Sequence, residues 1–290
     1  MKKIVQKRLL TSTESKVWHK NGFLLFKGIL SKNEILLMRK KILEISEKAL
    51  LSGKKDILLT NLIDFSPIFD SLLDRTNLFS KILGLMGPYI QIQGTEALVR
   101  FQNFEGALKI HTDGGPSLSR IFPHKKSLVL QLKIQFFLTD VSDPNHGNMI
   151  VVPRSHVWPF NDSYVSRNQQ EYTQILAESG DAILFPWSLW HGAAKNISSS
   201  PRVSIIIRYS QIWHRTVGYE RINQTILQRL SQRQRYLLGD FSDAERLYGY
   251  YYPPSDDFLD VIFGELRNKV KEWEEYRIAH EISTSLLNLV

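Results

Sequence analysis

Leu130-Gln131-Leu132-Lys133-Ile134-Gln135-Phe136 alternates apolar and polar side chains without a break. A period of two marks a β-strand, because successive side chains leave opposite faces of the pleat. Leu130, Leu132, Ile134 and Phe136 share one face; Gln131, Lys133 and Gln135 share the other. Two arrangements give this pattern: a half-exposed strand, or a strand whose polar face lines a lumen that holds a polar ligand. Strand-like runs recur at 91–101, 107–111, 128–138, 149–152, 182–185 and 203–209, separated by Gly, Pro, Asn and Asp clusters. Upstream, Ser31 and Glu34 form a capping-box pattern ahead of helically spaced Ile35, Leu36, Met38, Ile42, Leu43 and Ile45. Residues 22–26 look like one short strand and 61–86 like further short helix. Helical spacing returns at 222–238 and 258–287.

Helices, then strands, then helices predict a mainly β fold with flanking α elements: a barrel or sandwich wrapped at both ends. No repeat or linker divides the chain. One domain over residues 1–290 is expected, with a β core at about 88–210 and helical flanks at 1–87 and 211–290.

The 290 residues are 43% hydrophobic and 23% charged, enough for a sizeable core, and an aromatic share of 11% argues against global disorder. There is no cysteine. That excludes a disulfide framework, Cys-ligated zinc and iron–sulfur clusters, so a metal would need His, Asp or Glu. The net charge of +8 fits nucleic acid, an anionic substrate or plain lysine richness. A nucleic-acid module predicts one basic stripe; the basic residues are instead scattered in small clusters such as Lys2-Lys3, Arg39-Lys40-Lys41, Lys54-Lys55 and Lys125-Lys126. No signal-peptide core and no run of 18 apolar residues is present. The chain reads as a soluble cytoplasmic protein with no membrane or nucleic-acid partner, as monomer or homodimer.

Three places carry candidate chemistry. In His111-Thr112-Asp113, residues i and i+2 of a strand point the same way, so an imidazole and a carboxylate can chelate one ion. Alone, such a pair is more often structural. His191, between Trp190 and Gly192, follows the apolar run 182–185; a single His beside aromatics is more often a packed core residue. Arg202 opens the apolar strand 203–209, where an Arg usually faces solvent, yet a guanidinium turned into a barrel would clamp a carboxylate. Two His and one carboxylate together form the set that holds non-haem Fe(II) with open positions, to which a 2-oxo acid and O2 can bind.

Residues 98–209 resemble the phytanoyl-CoA dioxygenase (PhyH) family of Fe(II)/2-oxoglutarate oxygenases. The matching pieces are His111-Thr112-Asp113, Phe137-Leu138-Thr139-Asp140, the run from Gly147 to His156, Gly180 to Phe185, His191 and Arg202, in that order. The resemblance implies a double-stranded β-helix (jelly-roll, cupin-like) core with N- and C-terminal helices. It implies Fe(II) on His111, Asp113 and His191 as metal ligands and catalytic residues, and 2-oxoglutarate on Arg202. The chain departs from the family pattern at His146, where Asn is usual, and at Arg154, where Gly is usual. A loop with Arg at 154 is expected to avoid a glycine-only backbone conformation there. Ala193 stands where a small hydroxyl residue often helps hold the co-substrate, leaving Gln131, Lys133 or Gln135 to serve. Retention of Asp113 argues against halogenation.

The implied reaction hydroxylates a small-molecule substrate with release of succinate and CO2, a natural-product or amino-acid-like molecule being favoured over an acyl-CoA. Desaturation, cyclisation and epoxidation are alternatives of the same chemistry. Lys133, Trp187, Trp190, Arg208 and Trp213 are candidate substrate contacts; Arg208 is alternatively a surface ion pair. Residues 114–127 read as a lid, and the tyrosine-rich stretch at 248–254 as a cap or, more simply, as packing for the C-terminal helix.

Overall fold

The computed structural model describes residues 9–105, 110–114, 118, 121, 123–124, 129–158, 172–241 and 257–269. The expected strand at 107–111 and the lid at 114–127 lie largely outside them, and the stretch at 248–254 and residues 270–287 lie entirely outside them.

Two sheets make the core. The larger has the order β1-β7-β4-β9-β3-β2, formed by β1 (Leu24–Phe26), β2 (Asp56–Thr60), β3 (Ile90–Arg100), β4 (Gln131–Phe137), β7 (Ala182–Pro186) and β9 (Arg202–Gln211). The smaller has the order β6-β5-β8, from β5 (Met149–Val151), β6 (Thr173–Gln174) and β8 (His191–Ala193). All the pairings are antiparallel. These are the two sheets of a jelly roll. The segment before residue 88 is more than a helical flank, since β1 and β2 are the two edges of the larger sheet. β2 was not evident in the sequence. Its five residues acquire strand form by pairing along β3, from Asp56 opposite Arg100 to Thr60 opposite Glu96.

The alternation in β4 does what its period predicts, but the strand is not half-exposed: all seven residues are buried. Leu132, Ile134 and Phe136 enter the main apolar cluster together with Val203, Ile205, Ile207 and Tyr209 of β9. The helix α4 (Thr76–Met86) covers that face with Leu78, Phe79, Ile82, Leu83 and Met86. The opposite face turns into a lumen between the sheets. One part of the lumen is filled by Phe137, Ile183 and Phe185 packed against Met149 and Val151. The remainder is lined by polar side chains.

Helix α1 (Ser12–Asn21) starts with a capping box from Thr11, α2 (Lys32–Leu51) carries the expected box from Ser31 and Glu34, and the single turn α3 (Leu62–Phe65) follows β2. Glu34 does a second job: its carboxylate accepts from Arg75 Nη1 at 2.6 Å, tying α2 to the start of α4. The Arg75 hydrogen bond pulls the Glu34 carboxyl down from 4.5 to about 2. A depressed carboxylate pKa gives stability that is complete above the unfolded value and lost as pH falls through the folded one. The advantage of the wild type over Glu34→Gln should therefore hold above pH 5 and disappear toward pH 2. Urea melts at stepped pH check this; parallel curves would show that the pair adds no charge-dependent stability.

Three local expectations fail. The helix read at 222–238 is two short helices, α5 (Gln224–Leu227) and α6 (Gln232–Leu237), because Ser231 takes an extended backbone and caps α6 by accepting from Gln234 N–H. Downstream, α7 (Phe258–Phe263) stops at Gly264, whose φ is 45°. Arg154, expected to avoid a glycine-type conformation, adopts φ 73° and ψ −11°. This left-handed conformation is costly but open to side-chain-bearing residues. Here it lets the Arg154 N–H donate to Asn21 O at 2.9 Å, joining the loop to the end of α1.

Candidate metal centre

His111 and His191 face each other across a narrow antiparallel bridge. Each N–H donates to the other's carbonyl at 2.9 Å. Directly opposed residues present side chains on the same side, and the two ring centroids lie 4.6 Å apart. Two residues on, Asp113 returns to that side, its N–H donating to Trp187 O at 2.9 Å. One ligand atom from each of His111, Asp113 and His191 lies within 4.8 Å of the others.

His191 and Asp113 are in the form a metal requires. His191 Nδ1 lies 2.8 Å from Leu189 O. A carbonyl only accepts, so Nδ1 carries the proton and the Nε2 lone pair is left facing Asp113 Oδ1 at 3.7 Å. Burial pushes the imidazole down to about 4, so it is neutral at physiological pH. Burial alone would raise the Asp113 carboxyl, but the nearby Lys133 and His191 hold it well below the usual carboxylate range. Asp113 Oδ2 is buried with no hydrogen-bond partner among the described residues.

Arg202 calls for an anionic partner. It is 2% exposed, and Nε, Nη1 and Nη2 all lack a partner among the described residues. Its strand neighbour is another cation, Arg100, which pairs with Asp56 at 3.5 Å. An isolated buried charge costs several kcal/mol, so the position calls for a carboxylate. Gly147, at φ 74°, lets the backbone approach: a Cβ there would sit 3.1 Å from Arg202 Cβ. Ser204 Oγ and Gln135 Nε2, on the same lumen face, are also buried without partners. Ser204 went unnoticed in the sequence, although its spacing of two from Arg202 puts it on the Arg202 face. Two facing imidazoles, that of His191 neutral, with an ionised carboxylate and an unpaired guanidinium fit a divalent metal together with a dicarboxylate.

The remaining candidate residues divide. Lys133 Nζ is 2.5 Å from Asp113 Oδ1. Gln131 is committed elsewhere, its amide nitrogen lying 3.1 Å from both Gln93 Oε1 and His214 Nδ1. Arg208 is not at the surface; it faces the lumen and donates through Nη2 to both oxygens of Glu96 at 2.7 Å, which neutralises it. Trp187 is buried beneath Gly114, where a Cβ would meet its ring at 2.8 Å. Trp190, next to an inward-facing His, packs with Val152, Ile110, Trp158 and Tyr172. Trp213 is 49% exposed and lines a cavity of about 500 Å³ with Gln91, His214, Tyr219 and Phe241.

Residues 101–204, which include His111, Asp113, His191 and Arg202, fit the family model described as phytanoyl-CoA dioxygenase (PhyH). That segment of the chain is similar to a PhyH domain. The PhyH family consists of Fe(II)- and 2-oxoglutarate-dependent oxygenases that use O2. A stretch of 78 residues is 35% identical to the dioxygenase cdmA of Talaromyces verruculosus, covering 27% of this chain and 26% of that protein. The matched region thus spans only about a quarter of that relative. HygX of Streptomyces hygroscopicus, solved with nickel and 2-oxoglutarate bound, superimposes with a TM-score of 0.57 at 18% identity, over 71% of this chain and 89% of its own. SnoK, an α-ketoglutarate-dependent carbocyclase from nogalamycin biosynthesis, gives 0.56 at 19% identity over 72% and 86%. At such identities these two bear on the fold, a jelly-roll core with flanking helices. Among the described residues no helix is long and apolar enough to cross a membrane.

Proposed function

We propose that this chain, acting as one domain over residues 1–290, is a non-haem Fe(II)/2-oxoglutarate-dependent dioxygenase that hydroxylates a small natural-product or amino-acid-like molecule. The observation that carries this reading is the His111–Asp113–His191 cluster opening into a lumen that also holds the unpaired Arg202. HygX, of the same fold, binds nickel and 2-oxoglutarate.

In this reading His111, Asp113 and His191 hold the iron, which when bound with 2-oxoglutarate and O2 supplies the oxidising power, with succinate and CO2 as co-products. The chain's part is placement. Leu189 O fixes the His191 tautomer. The Asp113 N–H bond to Trp187 O fixes the turn that aims the carboxylate. Arg202 pairs the far carboxylate of the co-substrate, aided by the Ser204 hydroxyl and the Gln135 amide, while Gln131 braces the wall through Gln93 and His214. Phe137, Ile183 and Phe185 keep one side of the lumen dry. Lys133 and Trp213 lie toward the substrate, Trp187 supports the metal turn, and Arg208 with Glu96 shapes the wall as a neutral pair.

Fe(II)-dependent conversion of 2-oxoglutarate to succinate tests the reading without a known substrate, because such sites turn over slowly uncoupled. Succinate should form aerobically with the wild type and fall to background with His111→Ala. Equal succinate from both would contradict the assignment.

A further inference from the structure

Lys133 is a buried ammonium, with its side chain 8% exposed, in the wall of the lumen. Its partner is Asp113 Oδ1 at 2.5 Å, the same oxygen that faces His191 Nε2 at 3.7 Å. The ammonium thus sits against the oxygen turned toward the cation position. A divalent ion on that oxygen repels it and takes its counter-charge.

Charge balance then shows what is left over. With metal and co-substrate in place, the dication and Arg202 balance Asp113 and the two carboxylates of 2-oxoglutarate. Glu96 balances Arg208 at 2.7 Å, and Asp56 balances Arg100 at 3.5 Å. Among the described lumen cations, Lys133 alone has no remaining counter-ion. A buried ammonium without one is strongly disfavoured.

Position says where the missing anion lies. The strand partner of Lys133 is Arg208, six residues from Arg202 along β9, or roughly 20 Å at strand rise. A co-substrate carboxylate held by Arg202 would therefore lie toward the opposite end of β9 from Lys133. On the Lys133 side, the neighbouring Gln131 contacts His214, which lines the cavity of about 500 Å³ with Gln91, Trp213 and Tyr219. That volume suits a small molecule.

We infer that the substrate carries a carboxylate, and that Lys133 binds it after metal binding frees the ammonium from Asp113. A single ammonium balances one negative charge, which favours a carboxylate over a phosphate dianion. The inference rests on the oxygenase reading and deepens it: Lys133 becomes a specificity residue that also competes with the metal.

The test uses Mn(II) as a redox-inert probe and [13C]acetate as the smallest carboxylate. Lys133→Met, with Lys133→Gln as a second variant should the first fold poorly, is compared with the wild type. Mn(II) alone should bind the variant at least tenfold tighter by calorimetry, because its competitor is gone. On the Mn(II)/2-oxoglutarate complex, acetate relaxation should report a saturable site in the wild type that is at least tenfold weaker in the variant, with uncharged acetamide bound weakly by both. Unchanged or weaker Mn(II) binding, or equal acetate binding, overturns the inference. Failure of the wild type to bind Mn(II) and 2-oxoglutarate at all is a separate result, which overturns the oxygenase reading.

Discussion

Asp113→Ala should weaken Fe(II) binding by roughly 100-fold or more and also destabilise the metal-free protein. Both effects follow from its position. Asp113 is the only carboxylate of the His–Asp–His cluster, and hard divalent ions depend on such an anionic ligand. It is also the partner of Lys133, with both side chains at most 10% exposed. Removing one member of a buried pair strands the other, at about 3–5 kcal/mol. His111→Ala and His191→Ala should lose the metal while leaving the Lys133–Asp113 pair intact, so their urea midpoints should fall less. Metal affinity by calorimetry and midpoints in chelator separate the roles. Unimpaired metal binding by Asp113→Ala would remove Asp113 from the ligand set; a midpoint unchanged from the wild type would show that the pair with Lys133 adds nothing.

Arg202→Met should separate function from stability in the opposite direction. The guanidinium is 2% exposed and has three unpartnered nitrogens. A Met of similar length removes an isolated buried charge, so the metal-free variant should be more stable by about 1–3 kcal/mol, in line with replacing buried charges by apolar groups. The same change removes the carboxylate clamp, and losing one side of a buried charge pair costs about 2–5 kcal/mol in binding. 2-Oxoglutarate should therefore bind the metal-loaded variant roughly 100-fold more weakly, while Mn(II) alone binds as before. Wild-type protein should melt higher with added 2-oxoglutarate and Mn(II), whereas the variant should not respond to the oxo acid. Undiminished 2-oxoglutarate binding would mean that Arg202 serves another anion.

Much of this architecture is legible from periodicity. The alternation of β4 and the apolar runs of β7 and β9 carry a pattern strong enough to survive without tertiary context. β2 does not: Asp56-Ile57-Leu58-Leu59-Thr60 lacks polar–apolar alternation, Leu58 being exposed, and its form comes from β3. Residues 222–238 have helical spacing, yet the local competition of the Ser231 side chain for Gln234 N–H splits the helix. Two of the ligand positions can be read locally, since His111 and Asp113 are two apart. Their meeting with His191 is a long-range event made by a backbone bridge, visible in sequence only through motif order. Ser204 was within reach of a parity argument. The Lys133–Asp113 contact was not, because it joins separate elements and depends on how deep a long side chain reaches into the lumen.

The oxygenase reading requires one lumen to take iron and an oxo acid together. Anaerobic titration of the protein with Fe(II) and 2-oxoglutarate, followed in the visible for the weak metal-to-ligand charge-transfer band, tests this without a substrate. The band should saturate at one iron per chain, be absent in Asp113→Ala, and need far more 2-oxoglutarate in Arg202→Met. A wild-type protein that shows no such band at saturating Fe(II) and 2-oxoglutarate would contradict that reading.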